Sequence, residues 1–276
     1  MSTAVPMTQG SLVTTVGAVE LYEGGTGGPA PLVYLHSANG EAAGLEFLDL
    51  LAASRRVLAP VFPGFGSSEG IELVEDIEDA AFHLLDLCDR LGIQNADFVG
   101  MSLGGWMAAE LAVRWPERVR RMVLINAVGL YVDGSPIREI FGRPLDELAS
   151  DLFADPDFPL AMIMRELTKL DKDPSAVPFE LLRPVLQAQA VTAKLGWNPY
   201  LHNPKLLGRL GRITAPTLVV HASEDGIVPR AIAEAYERGI PNSRIADLEK
   251  AAHLAALECP LELSEIVVPF LDGSVT

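Results

Sequence analysis

The 276-residue chain is poor in cysteine and in positive charge, and it has no long hydrophobic run. Two cysteines, Cys88 and Cys259, are too few for a disulfide framework and fit a reducing cytosol. They stand 171 positions apart without paired histidines, which argues against a zinc site. Lys and Arg number 21 against 37 Asp and Glu, for a net charge of −16 and a pI near 4.7. Such a surface repels phosphate backbones, so nucleic acid is excluded as a partner. No stretch approaches the ~20 apolar residues of a membrane helix, so no membrane span is expected. The opening MSTAVPMTQG has neither a basic nor an apolar leader region, so a cytoplasmic location is expected. The glycine-rich loop at 24–28 lacks the Lys-Ser/Thr ending of a phosphate loop, and no cofactor or metal is expected.

What is present is an alternation of short apolar runs with amphipathic segments. Leu12 to Val16 and Val19 to Tyr22 read as a hairpin turning at Gly17-Ala18. Strands follow at Pro31 to His36, Arg56 to Pro60, Phe98 to Gly100, Met122 to Ile125, Pro216 to His221 and Ser243 to Leu248. Between them lie helical patterns at 41–54, Glu75 to Leu91, Leu103 to Arg114, Pro229 to Arg238 and Leu261 to Leu271. The rhythm predicts an α/β fold with a mostly parallel sheet covered on both faces. It breaks between Gly129 and Gly208, where nine of the 20 prolines fall. Prolines at such intervals limit helices to a few turns, so this stretch reads as an insertion of several short helices. The expected division is a sheet domain of residues 1–128 and 209–276, with a helical cap at 129–208.

Gly100-Met101-Ser102-Leu103-Gly104 is a G-x-S-x-G sequence on a strand-to-helix turn. There a serine is forced into a strained backbone and presented above the strand ends, over a helix N-terminus that favours negative charge. The plainer reading makes Ser102 an N-cap, with glycines for close packing.

With Leu35-His36-Ser37, Phe62 to Ser67, Val220 to Asp225 and Ala252-His253 added in that order, the chain resembles the α/β-hydrolase fold superfamily. The resemblance is to its serine hydrolases with a helical cap and runs from about Ser11 to Leu271. It implies a general base and an acid for Ser102. Of five histidines, His253 sits in a small-residue loop after the final strand, placed to reach Ser102. His36 and His221 end strands and suit structural hydrogen bonds; His83 and His202 suit surface or hinge positions. Asp225 follows a strand end and precedes Gly226-Ile227-Val228-Pro229, giving the order Ser102…Asp225…His253 expected for the fold. Glu224 is its rival by adjacency. Some family members carry the acid one or more strands earlier, where this chain has the uncharged Asn126. The implied oxyanion donors are the amides of Leu103 and Ala38. Many relatives read His-Gly before the second donor, whereas this chain reads His36-Ser37, and Ser37 could bring its own hydroxyl to the substrate.

The insertion's apolar residues, among them Phe141, Phe153, Phe158, Leu160, Met162, Ile163, Met164, Phe179, Trp197 and Tyr200, suit an uncharged, partly apolar small-molecule substrate. Three functions are open. The first is a carboxylesterase that works through an acyl-enzyme. The second is a carbon–carbon bond hydrolase of aromatic ring-fission products; such relatives commonly carry Trp after the catalytic His, where this chain has Leu254. The third is a non-catalytic binding protein on the same scaffold, which an intact Ser-Asp-His set does not favour.

Overall fold

The computed structural model describes residues 4–169 and 179–274. Among them, eight strands form one sheet: β1 (Thr8–Val13), β2 (Ala18–Gly24), β3 (Leu32–Leu35), β4 (Val57–Pro60), β5 (Ala96–Met101), β6 (Val119–Ile125), β7 (Thr217–Ala222) and β8 (Ser243–Leu248). The helices are α1 (Glu46–Ala52), α2 (Ile77–Arg90), α3 (Leu103–Arg114), α4 (Leu145–Leu152), α5 (Pro159–Lys169), α6 (Phe179–Gly196), α7 (Arg230–Gly239), α8 (Ala255–Glu258) and α9 (Pro260–Leu271). The strand order is β1-β2-β4-β3-β5-β6-β7-β8. β2 runs antiparallel to β1 and to β4, and every other neighbouring pair is parallel.

Every residue of β3, β4, β5 and β7 is buried, as a parallel sheet covered on both faces requires. The hairpin differs from its expected bounds: its first strand is Thr8–Val13 and the turn lies between Val13 and Ala18. β1 is an edge strand with no buried residue, so backbone pairing to β2 defines it rather than an apolar pattern. α2 begins at an Asp76 cap, whose carboxylate accepts from the amides of Glu78 and Asp79 at 2.8 and 3.0 Å. Its buried face carries Ile77, Ala81, Leu84 and Cys88. His83 is buried there too, contrary to the surface or hinge position expected of it, because it packs edge-on against Phe62 at 5.7 Å.

Between β6 and β7 the chain leaves the sheet and forms α4, α5 and α6. The two ends of this excursion meet: the Gly129 amide donates to Leu201 O at 2.8 Å, and the Asn203 amide donates to Gly129 O at 3.0 Å. Buried Glu110 on α3 anchors the return, accepting from Asn203 Nδ2 at 2.8 Å and from Trp106 Nε1 at 3.0 Å. The expectation of short helices fails at α6, which runs 18 residues with Pro184 inside it. Pro184 falls in the second turn, where it deletes one hydrogen bond near an exposed end and leaves the longer remainder intact.

α4 touches the sheet domain through its own C-terminal carbonyls. Gly226 N donates to Asp151 O and Leu254 N to Leu152 O, each at 3.1 Å. The Asp151 carboxylate pairs in turn with Arg138 and Arg143.

Candidate active site

Ser102 sits between β5 and α3 with φ 53° and ψ −111°, a backbone that only a constrained turn holds. The flanking glycines permit that turn by close approach. A Cβ at Gly100 would lie 2.4 Å from Gly104 O, and one at Gly104 would lie 2.1 Å from Leu35 O. The serine occupies the N-cap position of α3, yet its side chain caps no helix amide. Its Oγ lies 2.9 Å from His253 Nε2 instead, which sets aside the plain N-cap reading.

His253 stands on the loop after β8 and is nearly fully buried. Its Nδ1 is 2.9 Å from Asp225 Oδ2 and 3.1 Å from Oδ1. The Asp225 carboxylate is itself fully buried, and its Oδ1 accepts from the amides of Ile227 and Val228 at 2.8 and 2.9 Å. Asp225 is thus fixed by its own loop while it fixes the imidazole tautomer, with Nδ1 donating to Asp225 and Nε2 free to accept from Ser102. Glu224 is solvent-exposed.

Asn126, read from the sequence only as an uncharged residue, joins the two loops. Its Oδ1 accepts from Ala222 N at 2.9 Å, and its Nδ2 donates to Ala252 O at 3.2 Å and His253 O at 3.0 Å. It takes a positive φ of 46°, which asparagine tolerates better than most residues.

The loop after β3 is held by Glu41, a residue the sequence reading passed over. Glu41 Oε1 accepts from Ser37 N at 2.7 Å and from the Tyr34 hydroxyl at 3.1 Å, and Oε2 accepts from Ser37 Oγ at 2.6 Å. The Ser37 hydroxyl therefore donates its hydrogen bond to Glu41, although Ser37 lies at the cavity wall. His36 behaves as expected, accepting from Phe62 N at 2.9 Å through Nε2 while Nδ1 lies 2.7 Å from Ser37 O. Burial holds His36 in its neutral form by lowering its pKa. His221 departs from the structural role expected of it, since its buried Nδ1 has no partner among the described residues. Ala38 and Leu103 both border the cavity beside Ser102 and His253, and neither amide donates to a described protein acceptor. Two free amides flanking an activated hydroxyl can receive a developing oxyanion.

The cavity above Ser102 has a volume of about 540 Å³. Its floor comes from the strand-end loops and its walls and roof from α4, α5 and α6. Of the insertion residues singled out in the sequence, Phe141, Leu160, Ile163 and Met164 line it; Phe153, Phe158, Met162, Phe179, Trp197 and Tyr200 do not. No Lys, Arg, Asp or Glu stands among the described lining residues.

Over residues 30–260 the sequence matches the family model described as the alpha/beta hydrolase fold. The chain belongs to the α/β-hydrolase family. A curated relative in that family, 2-hydroxymuconate semialdehyde hydrolase from Pseudomonas sp. (strain CF600), is 29% identical over 261 residues, covering 91% of this chain and 89% of the relative. The solved 2-hydroxy-6-oxo-6-phenylhexa-2,4-dienoate hydrolase of Rhodococcus sp. strain RHA1 is an α/β-hydrolase neighbour with a TM-score of 0.76. It is 24% identical, with 97% of this chain and 99% of that one covered. Naproxen esterase from Bacillus subtilis has a TM-score of 0.73 at 20% identity, with 96% and 92% covered. Both structural likenesses speak to the α/β-hydrolase fold and not to the bond that is cleaved.

Proposed function

We propose that the chain is a serine hydrolase that forms an acyl-enzyme on Ser102 with an uncharged, largely apolar carbonyl substrate, a carboxylic ester in the first instance. Ser102 Oγ attacks the carbonyl carbon as its proton passes to His253 Nε2, while Asp225 stabilises the imidazolium. The amides of Ala38 and Leu103 receive the oxyanion. His253 then protonates the departing group, and in the second half it takes a proton from the water that releases the acid. Residues 129–208 act as the cap over this chemistry.

The observation that carries the ester reading is the charge of the cavity. A carboxylate buried there would lose its water without meeting a cation among the described residues, at a cost of several kcal/mol. A neutral ester pays no such penalty.

A second reading, carbon–carbon bond hydrolysis of ring-fission products, is the one the curated relatives favour. The relative from Pseudomonas and the Rhodococcus neighbour are both named for substrates of that kind. With no cation among the described lining residues, it would favour substrates whose carboxylate stays at the mouth, or which have none. The two readings share Ser102 and differ in the bond broken. The test compares kcat/KM for p-nitrophenyl esters of increasing chain length with that for a panel of vinylogous diketones. We expect the esters to lead and Ser102→Ala to abolish turnover of both. A diketone preference of about 10³, worth about 4 kcal/mol in the transition state, would move the assignment to carbon–carbon cleavage. Full ester turnover by Ser102→Ala would overturn both readings.

A further inference from the structure

The polar side chains around the cavity are almost all spoken for. Ser102 and His253 bond to each other, and Ser37 is held by Glu41. Asn39 Nδ2 donates to Ser37 Oγ at 3.2 Å, and Thr192 Oγ1 donates to Ala188 O at 2.8 Å. Gln189 differs. It lines the cavity, and its amide has no hydrogen-bond partner among the described residues.

Its place on α6 is not accidental to the helix pattern. Val185, Ala188, Gln189 and Thr192 all line the cavity, at the i, i+3, i+4, i+7 spacing of one helix face. The neighbouring glutamine shows the contrast: Gln187 turns away and donates through Nε2 to Gly64 O at 2.6 Å, fastening α6 to the loop after β4. A leucine at 189 would continue the apolar stripe with no polar group to satisfy. The primary amide brings two donors and an acceptor into a cavity whose other free polar groups are reserved for the reacting carbonyl. When a substrate fills that cavity and displaces water, the amide must be satisfied by the substrate or left short of bonds.

We propose that Gln189 is a specificity-determining residue, receiving an uncharged hydrogen-bonding group, a ketone or hydroxyl, on the part of the substrate that points to the roof while its scissile carbonyl lies at Ser102. The inference rests on the acyl-enzyme reading and deepens it. The substrate class becomes oxo- or hydroxy-substituted acyl compounds rather than plain alkyl ones. A charged group is disfavoured at this position, because nothing charged stands among the described lining residues to meet it.

The test uses two matched probe pairs on the full chain. One is p-nitrophenyl hexanoate and its 5-oxo analogue, read as kcat/KM. The other is the corresponding pair of alkyl phosphonofluoridates, in which Ser102 Oγ displaces fluoride, read as the rate of labelling. Both are measured on the native chain, Gln189→Leu and Gln189→Asn, each first shown to unfold cooperatively. The oxo probe should lead by about tenfold in the native chain, equivalent to about 1.4 kcal/mol. The lead should vanish in Gln189→Leu and partly return in Gln189→Asn. An oxo-to-alkyl ratio near one in the native chain, or a ratio that survives in Gln189→Leu, would overturn the proposal. Esters that fail to turn over while the labelling ratio behaves as expected would sink the ester reading and support the role of Gln189. Absence of labelling by either phosphonate would sink the serine-hydrolase reading and this inference with it.

Discussion

Asn126 ties the strand that leads to Asp225 to the loop that carries His253 through one side-chain amide. All three of its bonds are buried, so truncation leaves one amide and two carbonyls to find new partners. Asn126→Ala should therefore cost about 2 kcal/mol of stability and lower kcat more than it changes KM. Urea unfolding together with steady-state ester kinetics checks this, and a native kcat would mean that the loops hold themselves. Ser102, Asp225 and His253 were legible as a constellation because each stands at a strand end, in the chain order that the resemblance implies. Asn126 and Glu41 were not. An uncharged residue at a strand end signals only what it lacks, and Glu41 acts on Ser37 four positions away within a loop that has no periodicity to read. The same limit applied to Gln189, a polar residue on a helix whose cavity face the sequence does not announce.

At the scale of elements, the position of α3 against β3 matters most to the site. Gly104 lets the first turn of α3 lie on the carbonyls of Leu35 and His36, where a Cβ would come within 2.1 and 2.7 Å. Gly104→Ala must push the helix start away from the loop that carries Ala38. A displacement approaching 1 Å there should lower kcat about a hundredfold, with the protein still folded by circular dichroism. An alanine variant with unchanged kcat would show that the two candidate oxyanion amides do not act together. The parallel strands and their helices could be read from apolar runs and 3.6-residue spacing, because burial on both faces leaves that imprint. The edge strand β1 and the long helix α6 could not. β1 is defined by backbone pairing and not by burial, and Pro184 breaks a helix less when it falls near its start.

For the molecule as a whole, the acidic surface and the buried histidines answer pH differently. Glu72, Glu75, Asp76 and Glu78 are exposed, and acids of this kind keep the chain solvated and repel anions. His83 is buried with neither ring nitrogen hydrogen-bonded among the described residues, and burial pushes its pKa from 6.5 down to about 4, against a smaller opposing pull from Asp86. Its neutral form is the one the fold accepts, so well above pH 6.5 it adds no pH-dependent cost. As pH falls from 6.5 towards 4, the unfolded chain binds a proton that the folded chain refuses, and stability declines by up to about 3 kcal/mol. His83→Leu should lose less stability over that window than the native chain, measured as urea midpoints at each pH. Equal losses would show that the ring is protonated within the fold.

The bonds from Gly226 and Leu254 to the end of α4 bear on how the molecule could be rebuilt. Each donor directly follows Asp225 or His253, so the last turn of α4 belongs mechanically to the floor of the cavity although it lies between β6 and β7. A chimera that exchanges all of 129–208 for a relative's segment also exchanges two struts to the loops that carry Asp225 and His253. A graft whose first junction lies after Leu152 keeps those struts and replaces only the walls and roof contributed by α5 and α6.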